Sequence, residues 1–507
     1  MQYGWKNRKA ADEAMLMIIA LACLLIWFPI LCHYFDRRGL LILIIWLFFA
    51  PIISNLISRP GSNPFFQSPT TQGMDSGKAV KSAYLTLPTT IRLNELLEPN
   101  RALFVVFSGV LLGKAVLKKR HLHPLDRTEM YMGVFAILLL ISVFWQSKRI
   151  AYSLRTASDA FIVPFLAYYL ARRLVRNSHH FRKLTQFAGY MGVYLITICL
   201  VERLSQGSLF YRLSGPFPSP NTLHTVMVVI FFMVVLDSLH GASSPGGDQA
   251  LPRHIRWFVL CLAPLVILLT LTRGNWAGFL LGVWVFLFLG RRLVSFSRKV
   301  GVIGFALMSA LILVIAVPLL IPEELVERRI GNVPHIYGRF VTWSAVLQQG
   351  IADPIFGIGL NNLRNVLAET NLRVGDFQSY STVHNSFLAI FSELGAIGLL
   401  SYLAISISIV QSALNMYRTS TDVQDRWRGA ALVAGTAAYL APAMFANTLY
   451  SLVPLHHLYV YVFAGAVAGL DSWRRSVPSA QVSLEKPAWM SKGVMPRWGV
   501  RRHEEGA

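Results

Sequence analysis

Apolar runs of near-spanning length recur along most of this chain, and that recurrence constrains its fold more than any other feature. A bilayer core needs about 20 apolar residues per helix. Only helices or closed barrels satisfy their backbone in lipid. Continuous runs argue for helices, because a barrel strand alternates. Hydrophobic residues make up 54% of the sequence and charged residues only 14%, a balance that excludes an ordinary soluble domain. Spans are read at Ala14–Cys32, Gly39–Ile57, Ala102–Leu117, Met130–Trp145, Ala157–Leu170, Leu184–Val201 and Asn221–Leu239. They continue at Ile255–Thr272, Asn275–Gly290, Val300–Ile321, Asn385–Val410, Gly429–Asn447 and Pro454–Leu470. The expected fold is all-α and polytopic, with about 12–13 transmembrane helices. No cleavable signal peptide is expected: Ala14–Cys32 is long for one, and Asp36-Arg37-Arg38 is a poor cleavage context.

The formal net charge of +22 raises the question of nucleic acid, and its placement answers it. Basic clusters stand at Lys118-Lys119-Arg120, Arg172-Arg173, Arg182-Lys183, Arg291-Arg292, Arg298-Lys299 and Arg474-Arg475, each just beyond a span end. This is the positive-inside pattern, a topological signal, and no nucleic-acid partner is expected. With those clusters inside, Glu202–Pro220, Thr272–Asn275, Pro322–His384 and Leu449–Val453 face outward. Gln146–Thr156 follows them, although Lys148, Arg149 and Arg155 fit poorly there. Thirteen spans with an inside C-terminus put the N-terminus outside, whereas Lys6, Arg8 and Lys9 prefer it inside. Either the count is off by one span, or a segment of Ser58–Arg101 crosses or re-enters. The tail from Asp471 is polar and basic without an apolar period, and reads as disordered. The four cysteines (Cys23, Cys32, Cys199, Cys261) have neither metal-ligand spacing nor the look of a disulfide framework.

Three units result: N-terminal helices over 1–201, a helical region over 202–470 that includes the outer loop 322–384, and the tail 471–507. Ile255–Thr272 and Asn275–Gly290 are together too long for one crossing, so the chain turns back near Thr272-Arg273-Gly274. That turn holds Arg273 at the edge of the apolar zone, where a guanidinium is costly unless it is paired or faces a wet cavity; the bland alternative is snorkelling to head groups. The Ser214–Pro220 stretch, rich in Gly and Pro, reads as a shaped loop whose last residues cap the next helix. The long loop carries Arg328, Arg329, Arg339 and Arg364, contains a surface helix near Gly338–Gln349, and ends at His384-Asn385. A lone histidine at a helix end is more often a capping residue; the company of Arg212 and Arg273 on one face favours a phosphate-bearing substrate. The outer acids Glu323, Glu324, Glu327, Asp353, Glu369 and Asp376 form no recognisable catalytic pair. No phosphate-binding Gly-Lys loop, His-Glu metal helix or Gly-x-Ser-x-Gly elbow is present, and neither a metal nor another cofactor is expected.

The order of short motifs carries a resemblance. Arg212-x-x-Gly215-x-Phe217-x-x-Pro220-Asn221 is followed by Thr272-Arg273-Gly274, Gly338-Arg339 with Trp343, and Pro354-x-x-Gly357-x-Gly359. His384-Asn385 and Glu393-Leu394-Gly395-x-x-Gly398 complete the series. It resembles the O-antigen ligase-like superfamily of O-antigen ligases, O-antigen polymerases and protein O-glycosylating enzymes. The family commonly has Ser where Thr272 stands. The resemblance implies a helical membrane glycosyltransferase, similar to the GT-C class, that acts without metal and inverts the anomeric centre. It implies an undecaprenyl-pyrophosphate-linked glycan donor in the bacterial inner membrane. The acceptor would be a glycan or lipid A-core on the periplasmic face, and other polysaccharide assembly proteins are expected partners. It gives Arg212 and Arg273 to the donor pyrophosphate and His384 to the acceptor hydroxyl; Arg339, Asn385 and Asn221 are expected to line the substrate site. Ligase, polymerase and protein O-oligosaccharyltransferase differ only in the acceptor. A lipid-linked glycan flippase is the rival of another class, but it calls for midplane charges or repeated halves.

Single-cysteine labelling tests the orientation. Cysteines introduced in Pro322–His384 should react with an impermeant reagent from outside, and those in Arg291–Lys299 should not. The reverse pattern overturns the topology.

Overall fold

The computed structural model describes residues 39–41, 43–45, 47, 125–206, 212–217, 219–240, 251–293, 333–369, 383–446 and 455–476. Among the described residues every regular element is helical. The main helices are α1 (Arg127–Trp145), α2 (Ile150–Ala157), α3 (Val163–Leu174), α4 (Ser178–Gln206), α5 (Pro220–His240) and α6 (Arg253–Leu269). They continue as α7 (Arg273–Gly290), α8 (Val333–Ala352), α9 (Leu363–Glu369), α10 (Ser386–Thr419), α11 (Val423–Ala443) and α12 (Leu455–Ser476). Among the described residues, five helices are long and apolar enough to cross a membrane: Arg127–Trp145, Ser178–Ser205, Pro220–Leu239, Arg273–Gly290 and Ser386–Thr419. The chain is an all-α polytopic membrane protein. The spans expected at Ala14–Cys32, Ala102–Leu117 and Val300–Ile321, and most of that at Gly39–Ile57, lie outside the described residues.

Small residues set the closest helix contacts. In α7, Gly274, Gly278 and Gly282 recur every four residues and face α11. A Cβ on Gly278 would stand 2.6 Å from Pro442 and 2.7 Å from the Ala438 carbonyl; one on Gly282 would stand 2.7 Å from Ala438 Cβ. Helices in lipid gain little from apolar burial against one another, so close backbone approach of this kind supplies the attraction. The succession of contacts (Gly278 with Pro442, Gly282 with Ala438, Gly290 with Trp427) makes α7 and α11 antiparallel. Phe135 of α1 stacks edge-on with Phe161 (5.1 Å) and packs against Tyr402 of α10, which ties the first described helices to the later ones.

Two readings from the sequence need correction. The segment Gln146–Thr156, taken as a loop, is helical from Ile150. It continues through a π-helical turn at Ser158–Ile162 into α3, so the helix read at Ala157–Leu170 starts earlier than Ala157. Its polar residues masked the helix, and Ser153, Thr156 and Arg155 each have a partner. The Ser153 hydroxyl donates to the Leu360 carbonyl (2.9 Å), Thr156 Oγ1 accepts from Asn361 Nδ2 (2.8 Å), and Arg155 stands 3.8 Å from the buried Asp159. At the other limit, α12 runs through Ser476, past the boundary placed at Leu470. Its last turn is held by Arg474, which pairs with Asp422 (2.9 Å) and with Asp425.

The basic clusters are also more than a topological signal. Arg172 and Arg173 are buried and both reach Glu129, at 2.6 and 2.5 Å; Arg172 Nε is 3.1 Å from Asp126. Arg428, with Asp425 at 2.6 Å, lies over the Phe181 ring. These pairs gather the starts of α1 and α11 and the ends of α3 and α12 at one end of the bundle. Breaking a buried pair from one side costs about 3–5 kcal/mol.

The break inside α10 organises the opposite end. Gly395 has φ +67°, ψ −172°, which interrupts the helix ladder. The freed backbone pairs with the 354–359 segment. Ile358 N donates to Ser392 O (3.0 Å), Gly359 N to Glu393 O (2.9 Å) and Ala396 N to Pro354 O (2.7 Å). A Cβ at Gly395 would strike the Ile355 carbonyl, and one at Gly357 (φ +72°) would lie 2.6 Å from Gly395 N. The two glycine motifs read separately in the sequence are therefore one contact. Gly395→Ala adds a strain of about 1–3 kcal/mol to that clash, and should lower the thermal midpoint of the detergent-purified protein or abolish its folded yield. Gly133→Ala, whose Cβ meets nothing within 4 Å, should leave the midpoint unchanged. Equal midpoints for the two variants would show that the break is dispensable.

Candidate functional site

The chain bends sharply between α6 and α7. Leu271 takes a left-handed conformation (φ +50°), and the Thr272 hydroxyl donates to the Thr270 carbonyl (3.1 Å). The expected turn is present, and it makes Arg273 the first residue of α7, exposed at that helix's N-terminus. Unpaired N–H groups and the helix dipole make such an end favourable to anions.

Arg212 comes to the same turn from the preceding loop. Its Nη2 donates to Thr272 Oγ1 (2.5 Å) and its Nε to the Thr270 carbonyl (3.3 Å), while Leu213 N donates to Leu269 O (3.2 Å). Two arginine motifs some sixty positions apart are thereby joined. The loop itself is shaped by Glu202, a buried carboxylate at the end of α4. It accepts from Gly215 N (2.7 Å) and more loosely from Ser214 N (3.5 Å), and Gly215 turns with φ +57°. Glu202 escaped the sequence reading because a lone acid at a span end has no pattern; only its spatial partners reveal it. Ser219 Oγ accepts from Asn221 N (3.2 Å) and Thr222 N (3.4 Å), the expected cap of α5. Asn221 sits in the first turn of α5, and its buried Oδ1 has no hydrogen-bond partner among the described residues. The same holds for Asn275 Oδ1 in the first turn of α7 and for Nδ1 of the buried His224, whose Nε2 is 3.5 Å from the Ala438 carbonyl. Neither Asn275 nor His224 was singled out from the sequence, since single polar residues in apolar runs are common.

The other candidates meet at the end of α11. Arg339 of α8 reaches the Phe445 carbonyl (3.4 Å), the Ser386 hydroxyl donates to the Ala446 carbonyl (2.8 Å), and Gly274 packs beside Phe445 and Pro442. His384 is half-buried with φ +51°, and Asn385 caps α10 by accepting from Leu388 N (3.0 Å). Trp343 Nε1 donates to the Val383 carbonyl (2.7 Å), which fixes α8 beside the His384 segment. A small apolar cluster of Val346, Leu363, Leu367, Val383 and Ala389 fills the space between them. Arg212 thus touches the Thr270–Thr272 turn directly. Arg273, Arg339 and His384-Asn385 adjoin residues that share contacts with 442–446, and Asn221 opens α5 beside the same loop. The N-termini of α5, α7 and α10 all lie at this end. Arg328, Arg329 and the side chain of Arg364 lie outside the described residues.

Guanidinium, imidazole and carboxamide groups therefore stand at the same end of the helical bundle. Residues 257–403 match the family model described as O-antigen ligase. The matched stretch contains Arg273, Arg339, His384, Asn385 and the glycine contact at Gly395, while Arg212 and Asn221 precede it. No curated protein matches the chain. The match supports an O-antigen ligase/polymerase type of membrane glycosyltransferase acting on a lipid-linked glycan.

Thr272→Val removes the acceptor for Arg212 and should speed amide exchange in 212–217. Thr272→Ser keeps the hydroxyl and should leave exchange as it is. Identical exchange in both variants would mean that Thr272 does not hold the arginine.

Proposed function

We propose, on the premise of membership in the O-antigen ligase-like superfamily, that this chain transfers a glycan from an undecaprenyl-pyrophosphate carrier to an acceptor hydroxyl. The reaction would take place at the periplasmic face of a bacterial inner membrane. The acceptor would be a sugar of a growing polysaccharide or of lipid A-core, and partner proteins of polysaccharide assembly would deliver and receive the chains. The hydrogen bond from Arg212 to Thr272 carries this reading, because it gathers two arginine motifs at the edge of the apolar helices, where a lipid-borne diphosphate would lie.

In the proposed step the acceptor oxygen attacks the anomeric carbon from the face opposite the carrier. The new carbon–oxygen bond forms as the bond to the diphosphate breaks, with inversion. The bonding pair leaves with the diphosphate, whose growing charge Arg212 and Arg273 neutralise, with Arg339 flanking them. Fixed guanidinium groups perform this task in a partly dry site without a metal ion. The acceptor proton passes to His384, since an unperturbed imidazole titrates near 6.5 and suits a base at neutral pH. Asn385 and Asn221 orient the sugars.

Transfer and donor-lipid binding measured on purified variants test this division of roles. Arg273→Lys retains charge but loses the planar fork. A charge-assisted hydrogen bond contributes about 1.5–3 kcal/mol, so turnover should fall roughly ten- to a hundredfold. His384→Ala should bind donor as the parent does and transfer almost nothing near neutral pH, with residual rate rising at higher pH. Transfer at the parent rate by His384→Ala would reduce His384 to a helix-end residue.

A further inference from the structure

At the end of the bundle opposite Arg212 and Arg273, a cavity of about 730 Å³ lies between the start of α1, the last turns of α10 and the end of α12. Its volume is in the range of small-ligand sites, and its lining is unusual for the flank of a membrane helix. Ser408, Gln411, Ser412 and Asn415 recur at helical spacing, so α10 turns one polar face toward it. Gln411 and Asn415 are exposed, and in hydrocarbon alone their amides would lack hydrogen-bond partners at a substantial cost.

Four arginines and two aspartates border the cavity. Both acids are already occupied: Asp126 by Arg172 (3.1 Å) and the Tyr168 hydroxyl (3.0 Å), and Asp471 by Arg475. Arg127 and Arg418 are exposed and have no carboxylate partner among the described residues. The surplus is therefore positive and sits on two planar donors, one from each side wall. The cavity also adjoins surface suited to acyl chains. Met130, Val134, Ile137 and Ile141 form an exposed apolar stripe that starts one turn beyond Arg127, and Leu400 and Ile407 lie exposed along α10. Guanidinium groups beside hydroxyl and amide donors match a phosphodiester. A basic pocket between helices at a membrane boundary is a setting in which lipid head groups bind.

We propose that this cavity binds the phosphodiester head group of an anionic phospholipid from the leaflet opposite the arginine–histidine site. Arg127 and Arg418 hold the phosphate, the polar face of α10 holds the head-group hydroxyls, and the acyl chains run along α1 and α10. The lipid is a structural ligand distinct from the glycan carrier, so this inference stands apart from the proposed reaction.

Native mass spectrometry of the full chain in detergent, titrated with dioleoyl phosphatidylglycerol, dioleoyl phosphatidylcholine or inorganic phosphate, tests it. Phosphatidylglycerol should bind at least about tenfold tighter than phosphatidylcholine. Arg127→Gln combined with Arg418→Gln should erase that preference. Arg291→Gln combined with Arg292→Gln, an exposed basic pair at the same end but outside the cavity, should keep it. Equal binding of the two lipids overturns the proposal, as does a preference that survives the first double variant. Inorganic phosphate that displaces phosphatidylglycerol at equal concentration overturns it too, because the ligand would then be a free anion.

Discussion

The hydrogen bonds between the 354–359 segment and the interrupted backbone of α10 are the contact on which the rest of the architecture at the candidate site depends. The interior of a continuous helix has no unpaired backbone groups to offer its neighbours. By breaking at Gly395, α10 exposes the carbonyls of Ser392 and Glu393 and the amide of Ala396, and the incoming segment satisfies all three. The same segment then reaches the first described helices: Leu360 N donates to Ser142 Oγ (3.0 Å), and Asn362 Nδ2 to the Gln146 carbonyl (2.9 Å). One irregular strip of chain thus ties α1, α2 and α10 together and fixes the end of α8, which carries Arg339. Non-helical backbone is tolerated beside a membrane only when its polar groups are paired within the protein, and here the pairing is with a helix opened for the purpose.

The two ends of the bundle hold their arginines against different groups. At the α1 and α11 starts, arginines are buried against carboxylates: Arg172 and Arg173 against Glu129, and Arg428 against Asp425. Such pairs stabilise little relative to a well-packed apolar core, but they are costly to separate, so they hold helix ends in register. At the other end, Arg212 is hydrogen-bonded to a hydroxyl and a carbonyl. Those contacts orient the guanidinium against the turn that begins α7.

The turn at Leu271–Arg273 combines these themes. Its left-handed residue shortens the connection until Arg273 opens α7 directly, and the glycines of α7 bring that helix hard against α11. The last residues of α11 then become a meeting place for Gly274, Arg339 and Ser386. Close packing of the α7 glycines against α11 therefore sets where the neighbouring charged groups stand. That proximity underlies the proposed transfer, in which arginines and one imidazole would act on the same lipid-borne substrate.

The sequence by itself determined the helical membrane class, the turn at Thr272–Arg273, the capped start of α5 and the order of the site motifs. Each rests on a local cause: the length of an apolar run, the residues a turn tolerates, or a side chain that reaches its own backbone. It also showed the resemblance that the match over 257–403 supports. Tertiary structure alone decided that Ile150–Ala157 is helix, because Ser153, Thr156 and Arg155 read as loop until Leu360, Asn361 and Asp159 meet them. It alone joined Pro354–Gly359 to Glu393–Gly395, made Glu202 the carboxylate that holds the Arg212 loop, and turned Arg172-Arg173 from a topological marker into a buried ion cluster. Apart from Asp159, which stands four positions from Arg155, each partner lies many residues away, and no local pattern encodes a contact whose two halves are far apart in the chain.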